Sequence, residues 1–157
     1  MINSRWLEAP LGKALSRPYV HILFGARQTG KSTLLRTLLP EPALWLDLSD
    51  PAQRSRHLAR PELLIEACRA LPAGKRPPVV VIDEAQAVPA IFDAVQHLLD
   101  REPRRFRFVL SGSSARKLRT TGANLLPGRS FLHRLYSLTL DERPALLPRD
   151  GVPCAAP

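Results

Sequence analysis

The sequence has little cysteine and no long apolar run. Cys68 and Cys154 are the two cysteines among its 157 residues, and they stand far apart. This spacing argues against a disulfide framework and against a zinc site built on paired cysteines. No stretch approaches the roughly 18 apolar residues that a membrane-spanning helix needs, and residues 1–8 lack the apolar core of a signal peptide. We therefore expect a cytoplasmic protein without a membrane-spanning part.

Histidine is also scarce, with four residues that are scattered without metal-ligand spacing. We interpret all four as structural or solvated side chains rather than as catalytic groups or metal ligands. The four are His21, His57, His97 and His133.

What the sequence does contain is an eight-residue phosphate-binding motif. The run Gly25–Ser32 fits G-x-x-x-x-G-K-[ST] without a gap. It lies between an aromatic and β-branched run at residues 19–24, predicted to be a strand, and residues 32–39, predicted to be a helix ended by Pro40. This context makes a chance match improbable and predicts a nucleoside triphosphate site.

Each residue type in the motif has a physical role. Gly25 and Gly30 can adopt backbone angles closed to other residues, so that successive N–H groups turn inward at a helix N-terminus and bind phosphate. Lys31 can reach the β and γ phosphates, and the Ser32 hydroxyl can complete the coordination of Mg²⁺. The predicted ATP-binding residues are Gly25, Ala26, Arg27, Gln28, Thr29, Gly30, Lys31, Ser32 and Thr33.

A pair of carboxylates follows a second apolar run. Residues 78–82 are continuously apolar and β-branched, which is typical of a strand buried on both faces of a parallel sheet, and Asp83 and Glu84 come directly after them. We predict that Asp83 holds Mg²⁺ and that Glu84 orients and polarises an attacking water. The alternative is an acidic strand end that caps the next helix.

A polar cluster follows a third predicted strand, at residues 106–110. Ser111-Gly112-Ser113-Ser114 could hydrogen-bond a γ-phosphate or the attacking water, and we predict Ser111 as the sensor residue. The same residues could instead form an ordinary loop with a helix cap. Only the position in the fold can separate these interpretations.

The order of these motifs resembles the prokaryotic AAA-superfamily ATPases that carry a C-terminal domain of unknown function. The resemblance covers roughly residues 5 to 142 and implies an ATPase core with Lys31, Ser32, Asp83 and Glu84 in their usual roles. Ser111 is the matching sensor position, and Arg129 is implied to face a nucleotide in its own or a neighbouring subunit. The strings that carry the resemblance are GARQTGKSTLL, LWLDLSDP, VVVIDEAQAVP, FRFVLSGSSARKL and GANLLPGR.

The chain departs from that family after Leu140, where the family's long C-terminal domain has no counterpart. Four prolines fall in the last fourteen residues and no apolar periodicity survives them. We predict an AAA-type domain over residues 1–140 and a disordered proline-rich tail over residues 141–157. Full-length relatives are expected to form homo-oligomers, whereas this chain is expected to be mainly a monomer that turns ATP over slowly.

The predicted architecture is a three-layer α/β/α sandwich with a mainly parallel five-stranded sheet, the fold class of P-loop NTPases. An amphipathic helix near residues 4–15 precedes the first strand, and helices follow most of the strands. The five strands are predicted at residues 19–24, 43–48, 78–82, 106–110 and about 131–138.

Positive charge is concentrated in the C-terminal part. The net charge is +9, and residues 100–143 hold ten basic against four acidic residues, a surplus of six. Weak, sequence-independent nucleic-acid binding is one interpretation, and a solvated surface or charge that serves the nucleotide is the other. No aromatic stacking platform lies among the basic residues. They include Arg101, Arg104, Arg105, Arg107, Arg116, Lys117 and Arg119.

Three functions therefore remain for the chain. The first is an ATPase that uses Mg²⁺, and the second is a nucleotide-gated binding module that does not hydrolyse. The third is a helicase-like motor, which the chain length disfavours because a second motor domain would not fit.

Overall fold

A five-stranded parallel sheet organises the chain, with strand order β2-β3-β4-β1-β5 and every pairing parallel. The computed structural model describes residues 5–17, 19–113, 126, 128–139 and 142. The strands are β1 (Val20–Phe24), β2 (Leu44–Asp47), β3 (Val79–Asp83), β4 (Arg107–Gly112) and β5 (Ser130–Arg134). The helices are α1 (Glu8–Leu15), α2 (Lys31–Leu38), α3 (Pro51–Ala59), α4 (Leu63–Arg69) and α5 (Ala90–Arg101), with a 3-10 turn at Ala85–Ala87.

Helices cover both faces of the sheet, because the side chains of each strand alternate between two apolar layers. Val80 and Ile82 of β3 pack on one layer with α4 and α5, whereas Val81 packs on the other with α1 and α2. Because both faces of the sheet are buried, the strand sequences are largely apolar without alternation. The predicted three-layer sandwich with a parallel sheet is confirmed.

Several predicted boundaries shift. The N-terminal helix begins at Glu8 rather than near residue 4, and residues 1–4 lie outside the described part. Strand β4 extends two residues past the predicted end because Ser111 and Gly112 pair with Leu23 and Phe24 of β1. The last strand ends at Arg134 rather than near residue 138, and the Leu135 N–H then donates to the Phe24 carbonyl at 2.7 Å.

The tail predicted at residues 141–157 lies outside the described residues, apart from Glu142. That residue is buried although it falls two positions beyond the predicted domain boundary. The boundary and the disorder of the tail stay predictions. Among the described residues, no helix is both long and apolar enough to cross a membrane.

A histidine pair lies where β1 meets β5. His21 Nδ1 is 3.1 Å from His133 Nε2, and the two rings stack with their centroids 5.4 Å apart. Burial lowers the pKa of both histidines, and the nearby Arg107 and Arg17 charges lower that of His21 further, although its hydrogen bond to the Arg17 carbonyl acts in the opposite direction. The pair is therefore held in its neutral form, with one ring donating to the other.

Cys68 is a free thiol on the buried side of α4, in the apolar core. Burial raises its pKa to about 12, so the reactive thiolate is not formed at neutral pH. Cys154 lies outside the described residues.

Candidate functional site

The predicted phosphate-binding loop runs from the end of β1 to the start of α2, at the carboxyl edge of the sheet. Gly30 has a φ of +86° and precedes the first helical residue, as the motif requires. Gly25 is not in the left-handed region, so the predicted reason for this glycine is wrong. The actual reason is a close approach, because a Cβ at Gly25 would lie 2.4 Å from the Leu135 carbonyl oxygen.

The N-terminus of α2 is open for an anion. No side chain caps it, and its first N–H groups have no partner within the helix, because the first intrahelical bond is donated by Leu34 to the Gly30 carbonyl. Together with the helix dipole, these N–H groups favour a bound phosphate.

Lys31 is buried against this loop, with 5% of its side chain exposed. Its Nζ donates to the Gly25 and Ala26 carbonyls, each at 3.0 Å, and lies 3.9 Å from Glu84 Oε1. The Thr29 hydroxyl also donates to the Ala26 carbonyl, at 2.9 Å. The ammonium is thus held at the site by two neutral oxygens and one carboxylate, contacts that a phosphate can replace.

Asp83 ends β3 and is also buried. Its Oδ1 accepts hydrogen bonds from the Glu84 N–H at 3.0 Å and from the Ser111 hydroxyl. Within the described residues its Oδ2 makes no hydrogen bond. The carboxylate is therefore oriented by one oxygen, while the other stays available for a ligand.

Ser111, the predicted sensor, lies in the interior of β4 behind Asp83. It is 1% exposed and is not among the residues that line the cavity of the site, whereas Ser113 is. Ser111 therefore acts on the site by orienting Asp83, and the side chain of the cluster that reaches the cavity is two residues further on. Ser114, the last member of the cluster, is outside the described residues.

Glu84 adopts a left-handed backbone, with φ +54° and ψ +41°, which is costly for a residue with a side chain. Its carboxylate accepts a hydrogen bond from Gln86 Nε2, and the same amide donates to the Ser113 hydroxyl at 3.0 Å. Gly112 makes room for this amide, because a Cβ there would lie 2.5 Å from Gln86 Oε1. The strained turn and the amide together fix the direction of the Glu84 carboxylate.

These groups converge on one cavity of about 660 Å³. A volume of this order suits a small-molecule ligand or cofactor. The predicted residues that line it are Arg27, Gln28, Gly30, Lys31, Ser32, Thr33, Asp83 and Glu84, and the additional ones include Arg36, Asp47, Ser49, Arg54, Gln86 and Ser113. Gly25, Ala26 and Thr29 belong to the loop but do not line the cavity. The Gly25 and Ala26 carbonyls accept from Lys31 Nζ, and the Thr29 hydroxyl donates to the Ala26 carbonyl.

Asp47 could have been found from the sequence. It ends β2 as Asp83 ends β3, and the two residues are paired in register. Because carboxyl ends of neighbouring parallel strands meet at one sheet edge, a carboxylate at each end predicts proximity. Arg36 was harder to predict from the sequence. Its guanidinium lies over the Trp45 ring at 4.1 Å, and this contact joins two elements whose proximity the sequence does not show.

Arg129 lies away from this site. It precedes β5 at the amino edge of the sheet, where its backbone carbonyl accepts from the Val20 N–H, and its guanidinium pairs with Asp100 at the surface. The expectation that it faces the nucleotide of its own subunit is therefore wrong, because the loop of Gly25–Gly30 is at the opposite edge.

Part of the predicted basic surface is at that same amino edge. Arg105 pairs with Glu102, which also pairs with Arg69, and Arg107 donates to the Leu15 carbonyl at 3.3 Å. Arg105 and Arg107, two of the residues predicted to attract nucleic acid, are thus already engaged in contacts within the chain. Residues 116, 117 and 119 of the same prediction are outside the described part of the chain.

Comparison with known proteins agrees with this architecture. A family model described as an AAA domain matches residues 17–143. Two uncharacterised proteins, from Mycobacterium tuberculosis and from Mycobacterium bovis, are each 34% identical over 141 residues. The matched region is 89% of this chain and 30% of each mycobacterial protein, so the chain spans less than a third of their length.

Solved structures with low sequence identity share the fold. The Pif1 helicase from Candida albicans superposes with a TM-score of 0.56 at 14% identity, over 91% of this chain and 42% of the helicase. A DNA polymerase III gamma subunit-related protein from Thermotoga maritima superposes with a TM-score of 0.58 at 12% identity, over 87% of this chain and 48% of that protein. At this identity the likeness concerns the fold alone.

Proposed function

This chain belongs to the AAA domain family, and on that basis we propose that it binds ATP with Mg²⁺ and hydrolyses the ATP to ADP and phosphate. The observation that carries the proposal is the convergence of the open N-terminus of α2, Lys31, Asp83 and Glu84 on one cavity. Helix N–H groups and an ammonium bind the phosphates, and a carboxylate beside them suits activation of water.

The oxygen atoms at the site fit Mg²⁺. The Ser32 hydroxyl lines the cavity without a hydrogen bond to any described residue, and Asp83 Oδ2 is equally available. Hard oxygen donors are the ligands that Mg²⁺ prefers, and the ion keeps several waters. When bound, the ion would neutralise charge on the phosphate oxygens.

Glu84 is the proposed orienter of the attacking water. In hydrolysis the water oxygen forms a bond to the γ-phosphorus while the bond from that phosphorus to the β,γ-bridging oxygen breaks. The carboxylate directs the water by accepting one of its protons in a hydrogen bond. Gln86 and the left-handed turn support this role, because they leave Glu84 few alternative directions.

The second candidate is a nucleotide-gated binding module that does not hydrolyse. It is favoured by the contacts of Glu84 itself, since Lys31 Nζ is 3.9 Å from one of its oxygens and Gln86 donates to the other. If these contacts persist with nucleotide bound, the carboxylate is engaged and water is not activated. Phosphate release separates the two candidates directly.

Lys31→Ala tests the nucleotide site. We expect this change to weaken Mg-ATP binding by about a hundredfold or more, because it removes the buried charge that faces the phosphates. Calorimetric titration measures the affinity, and thermal unfolding checks that the fold is kept. Lys13→Ala, at an exposed position on α1, is the matched control and should bind as the unchanged protein does. Equal affinity in both variants would disprove the proposal.

We further propose that the chain acts in the cytoplasm as a monomer with slow turnover. Arg129 is at the edge of the sheet opposite the cavity, so it could reach a nucleotide only in a neighbouring copy. An arginine supplied across a subunit contact contributes on the order of a thousandfold or more to phosphoryl transfer. Light scattering combined with a phosphate-release assay tests this, and rapid turnover by a stable oligomer would contradict it.

A further inference from the structure

One buried arginine outside every recognised motif contacts the phosphate-binding loop from behind. The side chain of Arg5 is 9% exposed, and its Nη1 donates to the Thr29 carbonyl at 2.6 Å. Thr29 immediately precedes Gly30, whose left-handed angle sets the direction of the first helical N–H groups. Arg5 therefore holds the loop at the point where its backbone turns toward the phosphates.

The same guanidinium holds the segment that follows β5. Its Nη2 donates to the Tyr136 carbonyl at 2.5 Å, and its Nε donates to Glu142 Oε1 at 3.2 Å. Three nitrogens of one side chain thus contact three residues, Thr29 in the loop and Tyr136 and Glu142 after β5. A planar guanidinium can do this, whereas a lysine ammonium has no comparable fork.

Glu142 is itself fixed by the backbone. It accepts from the Trp6 N–H at 2.8 Å and from the Thr139 N–H at 3.0 Å. Burial alone would raise the pKa of Glu142, but these hydrogen bonds and the Arg5 charge bring the pKa below its ordinary value. The residue is therefore ionised at neutral pH, and the ion pair with Arg5 persists there.

A second contact links the same segment to the other end of the loop. The Leu135 carbonyl lies so close to Gly25 that no Cβ would fit between them, and the Leu135 N–H donates to Phe24. Residues 135 and 136 therefore abut the loop directly at its first glycine and, through Arg5, at its last turn.

We propose that Arg5 is a positioning residue for the nucleotide site, and that the Arg5–Glu142 clamp couples nucleotide binding to residues 135–139 and Glu142. The proposal rests on the proposed ATP site. Because coupling free energy is reciprocal, a nucleotide that fixes the loop must also fix this segment. Through the clamp, nucleotide binding would therefore change the stability of the segment that follows β5.

The test compares Arg5→Gln, Arg5→Lys and Glu142→Gln with Arg60→Gln. Arg60 is the matched control, because it is an ion-paired arginine like Arg5 but lies exposed on the surface, where it pairs with Glu62 and Glu66. Calorimetry measures Mg-ATP affinity, and hydrogen exchange follows residues 25–30 and 135–139 with and without nucleotide. We expect Arg5→Gln to weaken Mg-ATP binding roughly tenfold and Arg5→Lys to restore part of it.

The exchange pattern separates positioning from a general loss of stability. In the unchanged protein, Mg-ATP should slow exchange at residues 135–139 as well as in the loop. In Arg5→Gln the slowing should persist in the loop and at Leu135, which contacts Gly25 and Phe24 without Arg5, but should be lost at residues 136–139. Affinity within twofold of the unchanged protein, or equal protection of both segments in the variant, would overturn the proposal. If Arg5→Gln does not fold, Glu142→Gln tests the ion pair alone, because Arg5 keeps its contacts to Thr29 and Tyr136. Mg-ATP should then slow exchange at residues 137–139 less than in the unchanged protein, and equal slowing would overturn the coupling.

The outcomes also distinguish this inference from the proposed function. If the unchanged protein does not bind Mg-ATP, the proposed function fails, and faster exchange of residues 25–30 in nucleotide-free Arg5→Gln still tests the clamp. If Lys31→Ala abolishes binding while Arg5→Gln changes nothing, the ATP site stands and the clamp is refuted.

Discussion

Charged side chains are buried at the carboxyl edge of the parallel sheet and exposed at its amino edge. At the carboxyl edge, Lys31 and Asp83 are almost fully buried and face a common cavity. At the amino edge, charges pair at the surface, as in Arg129 with Asp100, where about half of each side chain is exposed. Exposed pairs contribute little to stability, whereas buried charges cost free energy unless something compensates them. The buried charges are thus concentrated at the carboxyl edge, where a bound ligand would compensate the free energy that their burial costs.

The backbone explains why the difference follows the sheet edges. Parallel strands all present their carboxyl ends on one side, and the loops that leave those ends surround a crevice. Asp47 and Asp83 are the last residues of β2 and β3, and the loop that begins at Gly25 follows the end of β1. At the other edge the chain returns from helices, and its charged residues can reach solvent.

Glu84→Gln should have the largest effect and would isolate the chemistry of the carboxyl edge. We expect phosphate release to fall by about a hundredfold or more with Mg-ATP affinity kept, because the amide preserves shape but is a poor acceptor for the water proton. Asp83→Asn should instead weaken Mg²⁺-dependent binding. Steady-state phosphate release and calorimetry measure the two effects, and Glu66→Gln, at an exposed position, is the control.

If Glu84→Gln and Asp83→Asn changed affinity and turnover in the same way, the assignment of separate roles to the two carboxylates would be wrong.

Acid should act through the histidine pair that lies between β1 and β5. His21 and His133 have pKa values below the ordinary 6.5 in the folded protein, so the unfolded chain takes up their protons first as the pH falls. The free energy of unfolding should therefore decrease as the pH drops below about 6.5 and is unaffected by these groups above it. Urea unfolding between pH 7.5 and 5.5 measures this dependence.

His133→Gln should remove roughly half of that pH dependence, because one of two coupled groups is lost. His97→Gln replaces an exposed histidine on α5 and should leave the dependence unchanged. The same slope in both variants would show that the histidine pair does not couple folding to protons.

Nucleic-acid binding should be the smallest effect and again concerns the amino edge. We expect weak, sequence-independent binding that fades with salt. Replacing Arg101 and Arg104 with glutamine should reduce the salt slope by about two, since each phosphate contact contributes about one. Arg105, which is engaged by Glu102, should matter less. Fluorescence anisotropy across a salt series measures this, with Mg-ATP affinity expected to stay constant.

An absence of binding at low salt would leave these arginines as a solvated surface.

The nucleotide site could be predicted where its residues are contiguous in the chain. A strand, a glycine loop and a helix follow one another over residues 19–39, and each has a local signature. The end of β4 could not be predicted, because Ser111 and Gly112 are poor strand formers and are extended by pairing with β1. Arg129 was misplaced for a related reason, since a motif does not reveal at which end of a strand it lies.

The clamp had no local signature at all. Arg5 and Glu142 are separated by 137 positions, and neither stands in a periodic or motif context. Their contact depends on α1 packing against α2 and on the chain turning beneath Gly25 after β5. Such pairs emerge from tertiary packing, which a single sequence does not record.

The contact between Arg5 and Glu142 also brings together the first and the last residue that the structure describes. A chain that enters and leaves at one place can be inserted into a host protein, or rejoined end to end, with little disturbance of its core. A short linker from residue 142 to residue 5 would close the domain into a ring, and the exposed turn at residues 73–76 could then supply new termini. The described part of the chain thus begins and ends at one place, beside the phosphate-binding loop.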